Sequence, residues 1–220
     1  MNWSTPQTVA GFARGAPNLA LMDFAAREYA RGARRVLDIG CGAARNAVPL
    51  ARDGWNVFGT DTSWPMLQAA AGRATHEKVQ NRLQLAAAAM DRLPIVNGFA
   101  DLIVAHGIWN LAPSGAEFRR AVREAARAAH SGAALFVFTF SRHTIPPQAT
   151  PVAGETFVFT EFAGEPQCFL TTEQLVEELG AAGFVPDPLL PVRELNRPAG
   201  LLRTSGPVIY EGGFRLGGEA

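Results

Sequence analysis

Two carboxylates and a pair of glycines mark where this sequence first offers chemistry. In Val36-Leu37-Asp38-Ile39-Gly40-Cys41-Gly42-Ala43-Ala44-Arg45-Asn46 an apolar run meets an acid and then a glycine turn. Glycine lets a backbone approach a ligand with no side chain in the way. Further on, Val57-Phe58-Gly59-Thr60-Asp61 closes a second apolar run on another acid. At the end of a second strand, a carboxylate can accept hydrogen bonds from both hydroxyls of a ribose. A dinucleotide turn wants a third glycine for pyrophosphate and helix packing, and here that place holds Arg45. Asp38, two residues before the first glycine, faces a cation well and a pyrophosphate badly. The pattern therefore points to a cationic nucleoside without phosphate. A nicotinamide-dependent oxidoreductase is the rival, disfavoured by Arg45 and by the missing Tyr-x-x-x-Lys pair.

The elements that must carry these residues alternate. The spacing predicts a helix over Leu19–Tyr29 with Leu19, Met22, Ala26 and Tyr29 on one stripe. Strands are expected at Arg35–Ile39, Asn56–Gly59, Leu83–Ala88, Asp101–Ala105 and Ala133–Phe140. Between them fall a helix at Asn46–Arg52, one capped by Ser63 and running to Ala74, and one at Ala116–Ala129. Thr171 and Gln174 read as a capping box for a last helix closed by Gly183. Phe184–Val192 and Pro207–Phe214 read as closing strands. Such alternation gives an α/β, doubly wound, mostly parallel sheet with helices on both faces.

The expected organisation is one domain over 1–220, with an N-terminal helical cap (1–33) and a lid-like insertion (144–170). That insertion, rich in proline and aromatic residues, reads either as a lid or as an edge strand in a dimer. Twenty basic residues balance twenty acidic ones, so no nucleic-acid partner is expected. Arg119, Arg120, Arg123 and Arg127 sit at helical spacing beside Glu117 and Glu124 and read as a solvated face. Two cysteines make no disulfide framework. With no secretory start and no run near the roughly 20 apolar residues of a membrane span, a cytoplasmic monomer or homodimer away from membranes is expected. No metal-ligand spacing is present, so no metal is expected.

Over nearly its full length the chain resembles the class I, Rossmann-like, S-adenosylmethionine-dependent methyltransferases. Asp38–Asn46 resembles the family's first motif, an acid followed by Gly-x-Gly-x-Gly, with Ala44 in the last glycine's place. Asp61-Thr62-Ser63-Trp64-Pro65-Met66-Leu67 resembles the ribose segment. Leu93-Pro94, Ala100–Gly107, Arg123–Arg127 and Ser131-Gly132-Ala133 resemble the later motifs. The Arg45-Asn46 pair is similar to small-molecule and tellurite-resistance-type members. The resemblance implies a seven-stranded sheet with an antiparallel last strand, and S-adenosyl-L-methionine as cofactor. It implies that Gly40, Cys41, Gly42 and Arg45 lie at the cofactor turn, that Asp38 neutralises the ammonium, and that Asp61 binds ribose. Thr62, Met66 and Met90 are expected on adenine, and Ala105 and His106 beside the methionine end. The family's adenine-binding acid falls here on Ala89, with Asp91 slightly further along.

The expected reaction is in-line displacement at a sulfonium methyl on a small-molecule acceptor, which alignment and water exclusion promote. A non-catalytic S-adenosylmethionine-binding protein is a further alternative. His106, at the fourth-strand tip, is the candidate general base or else part of the wall. Asn110 is expected to orient a polar acceptor. Trp109 reads as pocket wall or core, and His143 as acceptor side or solvated loop. Cover for the acceptor is expected from Trp3, Phe12 and Phe24 and from Phe157, Phe159, Phe162 and Phe169.

Overall fold

The computed structural model describes residues 4–197 and 206–217; Trp3 lies outside them. The helices are α1 (Pro6–Arg14), α2 (Leu19–Ala30), α3 (Ala47–Arg52), α4 (Trp64–His76), α5 (Gly115–Ala128) and α6 (Thr172–Gly180). The strands are β1 (Arg35–Ile39), β2 (Asn56–Asp61), β3 (Leu83–Ala87), β4 (Ala100–His106), β5 (Ala129–Phe140), β6 (Val158–Phe159), β7 (Gln167–Cys168), β8 (Phe184–Pro186), β9 (Arg193–Leu195) and β10 (Ile209–Leu216).

The main sheet runs β3-β2-β1-β4-β5-β10-β8, with β9 also on β10. The first five strands are parallel, and β10 is antiparallel to β5, β8 and β9. This is the expected doubly wound, mostly parallel architecture, with eight strands where seven were expected. The expected strand Phe184–Val192 stops at Pro186, and the additional strand, β9, lies beyond it at Arg193–Leu195. Pro188 and Pro191 keep it from continuing, and Asp187 turns the chain by accepting from the Leu189 N–H at 2.9 Å.

Alternation along β1 sends its side chains to opposite layers. Leu37 and Ile39 join the layer packed by α5 and α6, with Phe118, Leu175 and Leu179. Val36 joins the other layer, with Phe24, Val48, Leu50 and Ala70 from α2, α3 and α4 and with Trp55 just before β2. The strand ends bearing the motif residues therefore meet along one edge, and the order reverses on either side of β1, where open α/β sheets bind ligands.

α2 is rotated from the expected stripe: it buries Leu21, Phe24, Ala25 and Glu28, and Leu19 is 74% exposed. Its start is fixed by Asn18, whose Oδ1 accepts from the Leu21 N–H at 3.0 Å. Its core face meets Gly213, where an added Cβ would lie 3.2 Å from the Phe24 ring. The arginines of α5 do not all stand free in solvent. Arg119 pairs with Glu178, Arg120 with Asp91 and Glu117, and Arg127 with Glu124. Among the described residues no helix is long and apolar enough to cross a membrane.

Candidate active site

A cavity of about 650 Å³ follows the C-terminal edge of the parallel strands. Gly40 and Gly42 after β1, Asp61 and Thr62 at β2, and Ala88–Asp91 after β3 line one stretch. His106–Ile108 after β4, with Phe138 and Phe140 on β5, line the other.

The turn after β1 is built from left-handed residues. Gly40 has φ +69 and Gly42 φ +53, and Ala44 holds φ +59. Ala44 thus occupies a glycine conformation, which costs an alanine about 1–2 kcal/mol. A Cβ at Gly40 would come within 2.6 Å of the Ile108 side chain. The turn is clamped by Asp61: its Oδ2 accepts from the Gly42 N–H at 2.9 Å and its Oδ1 from the Ser63 N–H at 2.8 Å. These bonds fix the carboxylate at the cavity wall with lone pairs to spare for two hydroxyls.

On the other side of the turn, Arg45 reaches past Gly15, where a Cβ would lie 2.8 Å from Arg45 Cδ. Its guanidinium donates to His106 Nδ1 at 3.0 Å. Burial and the neighbouring Arg45 charge bring the His106 pKa down to about 3. Asn18 completes the group: its Nδ2 donates to Glu211 Oε2 at 2.7 Å and lies 3.4 Å from His106 Nε2. The N-terminal helices are thereby tied to β4 and β10 through the cavity wall.

Comparisons with known proteins bear on this geometry. Residues 36–132 match the family model described as a methyltransferase domain. That match runs from β1 into β5 and takes in the glycine turn, Asp61 and His106. A presumptive methyltransferase of Geobacillus sp. (strain WCH70) is 44% identical over 54 residues, 24% of this chain and 22% of that protein. The chain thus aligns with about a fifth of the length of that curated relative. An S-adenosylmethionine-dependent methyltransferase of Methanosarcina mazei has a TM-score of 0.65 at 20% identity, over 84% of this chain and 93% of that one. The 1,6-didemethyltoxoflavin-N1-methyltransferase of Burkholderia thailandensis, solved with 1,6-didemethyltoxoflavin and S-adenosylhomocysteine, has a TM-score of 0.68 at 17% identity, over 88% and 76%. A [4+2]-cyclase, SpnF, has 0.68 at 21% identity, over 94% and 85%. The fold is that of the class I, S-adenosylmethionine-dependent methyltransferases.

The family's cofactor is S-adenosylmethionine, and the residues fit it. The glycine turn leaves backbone open to a ligand where a Cβ would meet Ile108. Asp61 presents a carboxylate fixed by two backbone N–H groups, and Arg45 brings one guanidinium to the cavity wall. Of the expected methyltransferase residues, Gly40, Gly42, Arg45, Asp61, Thr62, Met66, Ala89, Met90, His106 and Asn110 line the cavity. The rest lie off it. Asp38 is 2% exposed on β1, beneath the turn, and its pKa is pushed up to about 7 by burial, with Arg45 pulling against the shift. Cys41 packs under Gly59, its thiol pKa raised by burial. Ala105 and Trp109 belong to the core, where Trp109 meets Phe118 edge-on. His143 is anchored away from the cavity, with Nδ1 2.6 Å from Glu194 Oε1 on β9.

The aromatic cover divides too. Phe12 and Phe162 line the cavity, whereas Phe24, Phe157, Phe159 and Phe169 are buried in the core. Asp91 lines the cavity with its carboxylate held by Arg120 at 3.2 Å. At His106, expected as a general base or as wall, Nδ1 already accepts from the Arg45 guanidinium, and burial and that charge bring the pKa down, both of which oppose proton uptake. Sequence reasoning missed Asn18, Ile108, Phe138, Phe140 and Gln167. Asn18 alone left a signal, as an N-cap residue directly before α2.

Proposed function

We propose that this chain is an S-adenosylmethionine-dependent methyltransferase that acts on a small molecule whose accepting atom needs no protein base. The single observation that carries this is the continuous cavity: it runs from the clamped Asp61 carboxylate, past Arg45 and His106, to an aromatic wall on β5. Bound S-adenosylmethionine supplies a methyl group already activated by its sulfonium. Asp61 takes the ribose hydroxyls, while Thr62, Met66 and Met90 pack the adenine beside Ala89. Arg45 faces the methionine carboxylate, and His106 serves as a neutral wall. Asp38, buried under the turn, favours the ammonium through the low-dielectric interior.

The accepting atom brings its own lone pair, as a neutral nitrogen, a thiolate or another soft anion does. Segment 144–170 acts as cover for the acceptor, a reading supported by Phe162, which is 41% exposed yet on the cavity wall. Two buried free thiols, Cys41 and Cys168, support work in the reducing cytoplasm. The balanced charge supports a small-molecule partner over nucleic acid.

Calorimetry and thermal melting with S-adenosylmethionine, S-adenosylhomocysteine and a nicotinamide dinucleotide test the assignment. Binding of the first two with a raised melting midpoint is expected. Indifference to both, with uptake of the dinucleotide, would overturn it.

A further inference from the structure

Two residues on the cavity wall have side-chain amide oxygens that lack partners. Asn110, in the 3-10 turn Trp109–Leu111, is 2% exposed, and Gln167, on β7, is 8% exposed. Both line the cavity. Asn110 Oδ1 and Gln167 Oε1 are buried with no hydrogen-bond partner. Buried amides are almost always bonded, and an unbonded one is a cost that a ligand can remove.

The two residues come from different elements that meet. β7 packs on the 109–111 turn, and Cys168 Sγ donates to the Ala112 carbonyl at 3.3 Å. The neighbouring wall is aromatic: Phe140 and Phe162 are 5.1 Å apart at 62°. Phe138 stacks on His106 with centroids 4.1 Å apart and planes 9° from parallel. A primary amide offers a donor and an acceptor side by side. It pairs best with an edge that offers the same two in reverse, as Asn and Gln do with an adenine edge.

Resting on the methyltransferase reading, we infer that the methyl acceptor is a flat heteroaromatic molecule whose edge carries an N–H donor beside an acceptor atom, as a lactam or amino-azine does. Asn110 and Gln167 read that edge. The phenylalanine wall takes the ring face, where stacked or edge-on contacts favour a planar guest. Asn110 and Gln167 are specificity-determining residues, and neither moves a proton.

Calorimetry on the full chain saturated with S-adenosylhomocysteine tests this. The probes are lumazine, xanthine and 4-quinazolinone, each paired with its N-methylated form. At least one N–H form binds, and its methylated counterpart binds at least tenfold more weakly. Asn110→Leu and Gln167→Leu each bring the pair within threefold of one another and leave S-adenosylhomocysteine affinity unchanged. Gln167→Met, close in length and with no amide to donate or accept, gives the same reading should the leucine variant fail to fold.

The inference falls if no N–H form binds the complex, or if capped and uncapped forms bind alike. It falls also if the leucine variants keep the discrimination, or lose S-adenosylhomocysteine because the amides read the cofactor's adenine. Failure of the wild-type chain to bind S-adenosylhomocysteine at all would sink the methyltransferase reading itself, which is a separate result.

Discussion

Arg45 donates to His106 Nδ1 at 3.0 Å, and both side chains face the same cavity. A guanidinium is only a donor, so the nitrogen it meets carries no proton and the ring is neutral. Burial works in the same direction. The fourth-strand histidine therefore adds shape and a stacking face against Phe138 without adding charge.

That pair makes a prediction about acid stability. The folded pKa of His106 is down to about 3, against an ordinary value of 6.5. A depressed folded pKa gives stability that is present above the unfolded value and lost as pH falls through the folded one. Between pH 6.5 and 3 the unfolded chain binds a proton that the native chain refuses. His106→Gln keeps an acceptor for Arg45 and removes the titration. Urea midpoints at pH 7 and 4.5 are the measurement. The wild type should lose about 2–3 kcal/mol more than the variant over that interval.

Asp38 has the opposite sign. Its folded pKa is about 7 against 3.8, so it favours folding most below pH 4, and that contribution is lost as pH rises towards 7. Asp38→Asn should therefore stabilise the unliganded protein at pH 8 by on the order of a few kcal/mol, with the gap closing near pH 4. S-adenosylmethionine affinity should move the other way, weakened in the variant because the buried negative charge is gone. Denaturant melts at the two pH values read the first effect, and calorimetry at pH 8 the second. An unliganded variant less stable than wild type at pH 8 would show that the carboxylate is not paying a burial penalty.

Local pattern made much of this site legible, and packing made the rest. Asp38, Gly40 and Asp61 stand at strand ends, where residue type and spacing coincide, and β1 runs over Arg35–Ile39 as the apolar run indicates. Ala44 kept a glycine's φ without a glycine, so the motif survives a substitution that spelling alone flags as a departure. The rotation of α2 was not legible, because it is set by Asn18 and by the room beside Gly213, both tertiary matters. Trp109 and Asn110 are sequence neighbours with different fates, one in the core and one on the cavity wall. Gln167 was invisible, since nothing local distinguishes a two-residue strand folded onto the 109–111 turn.

Asp61 ties the cofactor turn to β2 by accepting from Gly42 and Ser63. Asp61→Ala removes the partner of both N–H groups as well as the proposed ribose acceptor. S-adenosylhomocysteine affinity should fall by at least tenfold in calorimetry, about 1.4 kcal/mol, with a melt that stays cooperative. Asp61→Asn should also weaken binding, because one end of the amide would set a donor against a backbone N–H.

Gly40 combines two constraints that a double variant separates. Its φ of +69 is unfavourable for any residue with a Cβ, and that Cβ would come within 2.6 Å of Ile108. The first costs about 1–2 kcal/mol and the second about 1–3 kcal/mol as overpacking. Gly40→Ala should lower stability by about the sum and abolish measurable S-adenosylhomocysteine binding. Ile108→Ala alone should be milder, since Ile108 is only partly buried. Combined, the two should recover the overpacking share but not the backbone share. Denaturant melts of the three variants form a thermodynamic cycle, and a coupling free energy near zero would mean that Ile108 yields freely and that φ alone makes glycine necessary at this turn.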